Sequence, residues 1–485
     1  MNLPELGFGC YRIDHRVAEH YETLTKAIRS GITLIDTSAN YSDGGSEVLV
    51  GNVLTEMLEN GDIKREDLTI VTKVGYIQGQ NYKNAVKRRD NDNPFPEVVE
   101  YDEGLWHCIH PEFLEDQLKH QLTRLNTDYI DAYLLHNPEY YLSWADKEWK
   151  RIDAARDEFY VRIRMAFEWL HQKSIEGVIK SYGVSSNTFV ADTHKFDFVS
   201  LETLHHISVE TTEKLGGENY FKFAQMPFNL FEIGAMMEKN QDGNTKTVLE
   251  FAKENEINVL TNRPLNAITT KGLVRLADFD YKEHNEKAFL LQIQKLANME
   301  DDMINEKLPN YEVNVMDQKT LEGLFKFADK INDNWEKFGS IEHFNDVIEH
   351  YFGPRINYLM DYFEENFPEN DMSEYFNNYL TELYKLLNMT SNYYKVTAAR
   401  RSSFIHGVID TLADEKYYNL TLSQKALLLI LSVDGVDTVL VGARKESYID
   451  DVLPVLEMPK IENAKEILLR LRDELENAQY RTPDL

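Results

Sequence analysis

Four side chains able to do chemistry stand where three short apolar runs end. Asp36 and Tyr41 lie in Leu34-Ile-Asp-Thr-Ser-Ala-Asn-Tyr41, Lys73 follows Thr72, and His136 closes Leu134-Leu-His136. A carboxylate, a phenol, an ammonium and an imidazole are what reduction of a carbonyl calls for. A hydride must reach carbon and a proton must reach oxygen, and Tyr41 can supply the proton if its ordinary pKa of about 10 is lowered. Lys73 beside the phenol would favour phenolate, while Asp36 beside the lysine would hold it charged and oriented. His136 could hydrogen-bond the substrate oxygen and fix its approach. No side chain carries a hydride, so the set implies a nicotinamide cofactor.

The elements that must position these residues follow from the patterning. Short β-branched and apolar runs bounded by polar segments read as strands covered on both faces. Eight such runs are present: Leu6–Gly9, Ile32–Thr37, Leu68–Val74, Tyr129–His136, Ile179–Ser185, Phe221–Pro227, Ile257–Leu265 and Val436–Gly442. Stretches with three- and four-residue apolar spacing separate most of them, among them Val17–Ser30, Glu112–Leu125, Asp153–Ile175, Thr245–Asn255 and Leu422–Ser432, with a final helix at Asn463–Asn477. Strand and helix alternate without hairpin signals, which predicts a parallel sheet, and eight repeats predict its closure. In a closed parallel barrel the C-terminal strand ends form one rim, so the four residues should converge there.

The motifs resemble the aldo-keto reductase superfamily. Leu6-Gly-Phe-Gly9 is similar to its opening strand, and Gly31 to Glu47 followed by Val50-Gly51 is similar to its signature around the catalytic tyrosine. Leu125 to Asp131 with Leu134-Leu-His136, then Gly183-Val-Ser-Ser-Asn187, Ala224-Gln225, Asn262-Arg-Pro-Leu265 and Val439 to Arg444 fall in the family's order. The resemblance implies an α/β fold, a (β/α)8 TIM barrel. It assigns Tyr41 as general acid, Asp36 and Lys73 as its tuning pair and His136 as the substrate-orienting group. It implies cofactor contacts at Gly9, Tyr11, Ser185, Ser186, Gln225, Leu265, Gly442 and Arg444, with NADP as cofactor and NAD as the alternative. Two positions depart from the family pattern: Ser186 stands where many members have an asparagine on the carboxamide, and Gly442 where others have a lysine on the 2′-phosphate. Arg444 could serve that phosphate, since a guanidinium offers it two parallel bonds.

At 485 residues the chain exceeds an ordinary barrel of about 250 residues. The excess lies between Leu265 and Val436. From about Tyr281 to Arg400, Gly and Pro become sparse while Tyr, Phe, Asn, Asp and Glu rise, and Leu321–Ala328, Ile341–Tyr351, Ile356–Glu365 and Tyr375–Leu387 have helical spacing. The expectation is a barrel built from residues 1–275 and 405–485, with an all-helical subdomain at 276–404 that leaves from the active rim and could roof the pocket, clamp the cofactor or contact another copy. A second excess, Gly75 to His110, reads as a surface loop, because Asn81 to Asp92 is charged and Asn-rich and Pro94 and Pro96 follow. Superfamily members that oxidise free sugars have a comparable segment, which tilts the substrate toward a polyol. Tyr76, Tyr82 and Trp106 could line such a pocket.

A formal net charge of −30 argues against nucleic acid or an anionic membrane as partner, since both are bound through clustered Lys and Arg. Only Cys10 and Cys108 are present, so a disulfide framework is not expected and a reducing compartment is. The first residues lack a basic segment and an apolar core, and no uncharged run reaches membrane-spanning length, so the expectation is a soluble cytoplasmic protein acting on a small carbonyl or polyol, with a homo-oligomer compatible. No metal site is expected. His107-Cys-Ile-His110 has ligand types in close order but lacks the second cluster that structural zinc uses, and His205-His206 reads as a surface pair. Glu300-Asp-Asp302 and Asp361 to Glu369 read as solvated helix faces. A different class of function remains: a redox sensor or regulatory subunit that binds the nicotinamide cofactor with little turnover, for which the same four residues suffice.

Overall fold

The computed structural model describes residues 3–269, 272–311, 315–367 and 371–481. The chain divides into two compact units. One runs to Leu265 and resumes over Ser423–Leu469; the other comprises Asn266–Leu422 and the chain from Arg470.

In the first unit eight parallel strands close into a barrel: β1 Leu6–Gly9, β2 Leu34–Asp36, β3 Thr69–Val74, β4 Ile130–His136, β5 Ile179–Ser185, β6 Phe221–Pro227, β7 Asn258–Asn262 and β8 Thr438–Val441. Each lies beside its chain neighbour, and β1 pairs with β8 to close the ring. The register aligns Gly9 with Asp36, Lys73 with Leu134, His136 with Ser185, and Ser185 with Gln225. Side chains alternate along a strand, so residues two apart share a face. Leu34, Val71, Leu134 and Phe223 belong to the apolar cluster that fills the barrel. Two residues further along the same strands come Asp36, Lys73, His136 and Gln225. The polar residues are therefore the next inward layer above the packed one, at the C-terminal rim.

Helices Ala18–Arg29, Gly45–Glu59, Pro111–Leu125, Ile152–Ile175, Leu201–Leu215 and Val248–Glu254 cross between strands. Gly51 shows how closely they pack: a Cβ there would lie 2.2 Å from the Arg124 carbonyl oxygen, so only glycine lets helix Gly45–Glu59 approach helix Pro111–Leu125.

The segment after β3 is not the surface loop that its composition predicts. It holds a helix, Gly79–Asp90, and a three-stranded antiparallel sheet of Tyr76–Ile77, Val99–Asp102 and Leu105–His107. Asp43 accepts the Gln80 backbone N–H at 2.9 Å and so satisfies the start of the helix from a distant part of the chain. Lys87, Arg88 and Arg89 suit its C-terminal end, and Arg88 stacks on Phe95 at 3.8 Å. Antiparallel pairs at Lys239–Gln241 with Lys246–Thr247, and at Asn266–Thr269 with Gly272–Arg275, likewise depart from the reading without hairpins.

The second unit is mostly helical, with its own core of Phe289, Leu296, Phe325, Phe344, Phe363, Tyr379 and Leu383 among others. Its helices include Glu286–Asp302, Phe327–Asn334, Ile341–Val347, Gly353–Asn366 and the long Asp371–Asp410. Two expectations fail here. Leu321–Ala328 is not continuous helix: one helix ends at Leu324 and the next starts at Phe327. Glu300 is no solvated residue but is 4% exposed, and its carboxylate accepts the Phe327 N–H at 3.0 Å, capping that new helix. The acidic run from Asp361 extends into residues 368–370, outside the described residues. Among the described residues no helix is long and apolar enough to cross a membrane.

Candidate active site

Lys73 is the centre of the rim layer. Its Nζ donates to Asp36 Oδ2 at 2.7 Å, to the Thr37 carbonyl at 2.8 Å and to the Tyr41 hydroxyl at 3.2 Å, which uses all three ammonium protons on three acceptors. The lysine is fully buried. Burial acts to lower its pKa, but Asp36 and Tyr41 outweigh that and hold it charged. Burial also raises the Asp36 carboxyl, against the pull of Lys73 and of Gln225. Gln225 Nε2 donates to the other Asp36 oxygen at 2.8 Å, and Ser185 Oγ donates to Gln225 Oε1 at 2.9 Å. Ser185, Gln225, Asp36, Lys73 and Tyr41 thus form one hydrogen-bonded row across four strands and the turn that follows β2.

One expectation is reversed at Tyr41. Its pKa is raised to about 12, because burial dominates; Lys73 pulls it down and Asp36 pushes it up. The phenol at rest is therefore protonated. His136 sits edge-on to it, with ring centroids 5.8 Å apart, and bonds neither Tyr41 nor Lys73. Its Nδ1 lies 3.0 Å from Ser38 Oγ. Burial, Lys73 and His107 hold its pKa well below the ordinary value, so the imidazole is neutral.

The remaining predicted contacts surround this layer. Ser186, buried, shares a hydrogen bond with Thr188 Oγ1 at 3.2 Å. Tyr11, largely exposed, packs edge-on to Tyr41 at 5.1 Å. Leu265 and Arg444 are half-buried and Gly442 is exposed. A Cβ at Gly9 or Gly442 would meet only ordinary contacts at 3.7 Å, so the chain's own packing requires glycine at neither. His107 and His110 have tasks other than metal binding: His107 Nε2 bonds the His136 carbonyl at 2.7 Å, and His110 caps helix Pro111–Leu125. Gly75 makes the first possible, since a Cβ there would lie 2.5 Å from His107 Nε2. Cys10 and Cys108 are buried free thiols.

Several residues of the site are not singled out by the sequence. Glu47, fully buried, accepts from Thr72 Oγ1 at 2.6 Å, Gln121 Nε2 at 2.7 Å and Arg124 Nε at 2.7 Å; Gln121 also bonds the Lys73 carbonyl at 3.1 Å, bracing the lysine from outside the barrel. Asn137 accepts from Tyr76 OH at 3.1 Å and donates to Glu139 at 2.8 Å, while burial pushes the Glu139 carboxyl up to about 7. Ser38, Asn40 and Gln78 form a third chain, which ends on His136. The signal available for these was the polar letter inside a motif, but the partners of Glu47, and Gln78 for Asn40 and Tyr76 for Asn137, lie on other segments.

A cleft of about 660 Å³ opens at the N-terminal ends of β5–β8. Its Lys180, Lys222 and Lys253 stand among Glu218, Glu256, Asp434 and Asp437, away from the rim that holds Tyr41.

The model of the aldo/keto reductase family matches residues 5–332. An NADPH-dependent D-xylose reductase of Candida boidinii is 25% identical over 201 residues, 38% of this chain and 49% of that relative. An NADH-specific methylglyoxal reductase of Escherichia coli (strain K12) is 27% identical over 165 residues, 34% of this chain and 40% of the relative. The chain spans about half the length, or less, of these curated relatives. Among solved structures, a glycerol dehydrogenase from Gluconobacter oxydans aligns with a TM-score of 0.47 at 15% identity, covering 99% of this chain and 93% of that one.

Proposed function

The chain belongs to the aldo/keto reductase family, and from that premise we propose that it is a nicotinamide-dependent oxidoreductase that reduces a small carbonyl, or oxidises the matching alcohol or sugar hemiacetal, with Tyr41 as its general acid and base. The observation that carries this reading is the buried Lys73 ammonium bonded at once to Asp36 at 2.7 Å and to the Tyr41 hydroxyl at 3.2 Å. A phenol raised to about 12 holds its proton at neutral pH. As negative charge builds on a bound carbonyl oxygen, Tyr41 gives up that proton, and the Lys73 cation stabilises the phenolate left behind. Asp36 keeps Lys73 charged and aimed. In the opposite direction the phenolate takes the proton of the alcohol.

The nicotinamide supplies or accepts the hydride when bound. Ser185, Ser186 and Gln225 would hold its carboxamide end. Tyr11, Leu265 and the bare backbone at Gly9 and Gly442 would lie along the dinucleotide. The lining fits: Asn262 Oδ1, in the same strand-end motif as Leu265, is a buried acceptor with no hydrogen-bond partner among the described residues, and a ribose hydroxyl or the carboxamide N–H would satisfy it. Arg444 supports NADP over NAD, since it makes no hydrogen bond or ion pair with another described residue and suits a 2′-phosphate. A relative named for D-xylose supports a polyhydroxylated carbonyl as substrate. A site of this kind, with a net charge of −30, suits a cytoplasmic enzyme acting on a small molecule.

Steady-state NADPH oxidation across aldehydes, ketones and aldoses tests the proposal. Tyr41→Phe should lower kcat by about 10²–10⁴-fold while nucleotide binding persists. Unchanged kcat in that variant would refute Tyr41 as the acid. Tight NADPH binding by the natural chain with no turnover on any substrate would favour the sensor instead.

A further inference from the structure

Glu139 is a second buried carboxyl at the rim, and the proton transfer makes no use of it. Asn137, in the left-handed conformation with φ at 49°, turns the chain after β4 and gives its N–H to the Ser185 carbonyl at 2.7 Å. Glu139, two residues further on, is 5% exposed and comes back against the loop after β5. Its Oε1 accepts the Asn137 side-chain amide at 2.8 Å and the Asn187 backbone N–H at 2.8 Å. Its Oε2 is buried with no hydrogen-bond partner among the described residues. The groups that face it are neutral. Ser186 and Asn187 do so from the loop after β5 and Asn137 from the end of β4. The phenols of Tyr76 and Tyr140 do so from the strand Tyr76–Ile77 and the helix Tyr140–Lys147. Burial holds both phenols above their ordinary value, so neither is charged at neutral pH. No lysine, arginine or histidine among the described residues pairs with Glu139, whereas Asp36 has Lys73.

A buried carboxylate without a countercharge is a place where a cation is stabilised. The nicotinamide ring is a cation when oxidised and neutral when reduced. Ser185 and Ser186, which would hold its carboxamide, immediately precede Asn187, whose N–H is bonded to Glu139. Position 186, an asparagine in many family members, is here a serine with a carboxyl behind it. Resting on the reading of Ser185, Ser186 and Gln225 as the carboxamide site, we propose that Glu139 is a specificity-determining residue for the oxidation state of the cofactor: ionised, it favours the pyridinium cation of NADP⁺ over neutral NADPH. As the neutral acid it favours neither. A cation brought near a buried carboxyl lowers its pKa, by about 1–3 units in typical cases. NADP⁺ binding therefore releases the Glu139 proton to solvent, and NADPH binding does not. Since burial raises the carboxyl to about 7 in the free protein, NADP⁺ binding tightens as pH rises toward 7 and levels off above it.

Dissociation constants for the two nucleotides, measured by titration calorimetry with no substrate present, test this. Both forms carry the same phosphates, so the ratio of Kd for NADP⁺ to Kd for NADPH isolates the charge on the ring. In the natural chain that ratio should fall roughly 5–10-fold from about pH 5.5 to about pH 8. Glu139→Gln keeps an acceptor for Asn137 and Asn187 and puts an N–H where the neutral acid has its O–H. Its ratio should stay constant, close to the low-pH value of the natural chain. Titration of the natural chain in buffers of different ionisation enthalpy should show, near about pH 6.5, more protons released with NADP⁺ than with NADPH. That measurement needs no variant, so it decides if Glu139→Gln does not fold, and equal release for the two nucleotides would refute the proposal. A ratio independent of pH in the natural chain, or one that falls equally in Glu139→Gln, would overturn it as well and leave the role of Tyr41 untouched. Failure of both nucleotides to bind would overturn it together with the carboxamide site on which it rests.

Discussion

Each unit buries a carboxyl group, and the two are held by opposite means. In the barrel unit Asp36 faces a cation, Lys73, at 2.7 Å. In the helical unit Glu300 faces only neutral donors: the Phe327 N–H at 3.0 Å, the Ala328 N–H at 3.3 Å and the Tyr379 hydroxyl at 2.9 Å. Burial raises both groups, Glu300 to about 7. Neutral donors are enough to keep a buried carboxylate in place, so a buried lysine is not needed for that. What Lys73 adds is a third bond, to Tyr41. A cation placed where one acceptor is a phenol serves proton transfer, while backbone amides placed on a carboxylate serve to start a helix.

The largest expected effect comes from removing that cation. Lys73→Met leaves Asp36 buried without a countercharge, which should cost about 3–5 kcal/mol in urea unfolding and remove turnover along with it. Adding Asp36→Leu should return most of the stability and none of the activity, because an apolar pair can replace a buried ion pair in packing but not in moving a proton. A single Lys73→Met as stable as the natural chain would break the comparison, since Asp36 would then be held without its partner.

Glu300 tests the other half. Its pKa in the folded state is raised from 4.5 to about 7, so its contribution to stability is fully present below 4.5 and is lost as pH rises through 7. Over that window the helical unit should lose up to about 3 kcal/mol relative to Glu300→Gln, read as the difference between the two proteins' unfolding midpoints. Parallel pH profiles for the two would show that the neutral donors repay ionisation of Glu300 in full.

The sequence makes the barrel's strands legible because each is a buried apolar run, and β2 to β7 carry a polar residue at or near the C-terminal end; all eight barrel strands fall within or on the edges of the predicted ones. Alternation then places Asp36, Lys73, His136 and Gln225 in one layer without further information. The failures share a cause. Helix Gly79–Asp90 begins on Asp43, helix Phe327–Asn334 begins on Glu300, and the row that ends on His136 starts at Gln78. In each case a polar side chain far along the chain satisfies a group that local composition leaves open, and periodicity carries no trace of such a partner. The direction of the Tyr41 shift is hidden from the sequence for a related reason. A motif names the neighbouring charge, Lys73, but not the extent of burial, and burial is the larger influence.

The smallest effect concerns cations rather than carboxyls. Arg401 in the helical unit lies against Glu342, which offsets part of the lowering that burial imposes on it. Arg444 at the barrel rim is half-buried and makes no such pairing among the described residues. If the rim arginine is kept for a phosphate, Arg444→Ala should raise KM for NADPH about tenfold, leave KM for NADH unchanged, and shift stability by less than about 0.5 kcal/mol. Arg401→Ala should do the reverse, lowering the unfolding midpoint because Glu342 keeps Arg275 but loses the second of its two nearby cations, while both nucleotides bind as before. Equal losses for NADPH and NADH in Arg444→Ala would place the side chain on the shared pyrophosphate instead, and the preference for NADP would have to come from another residue.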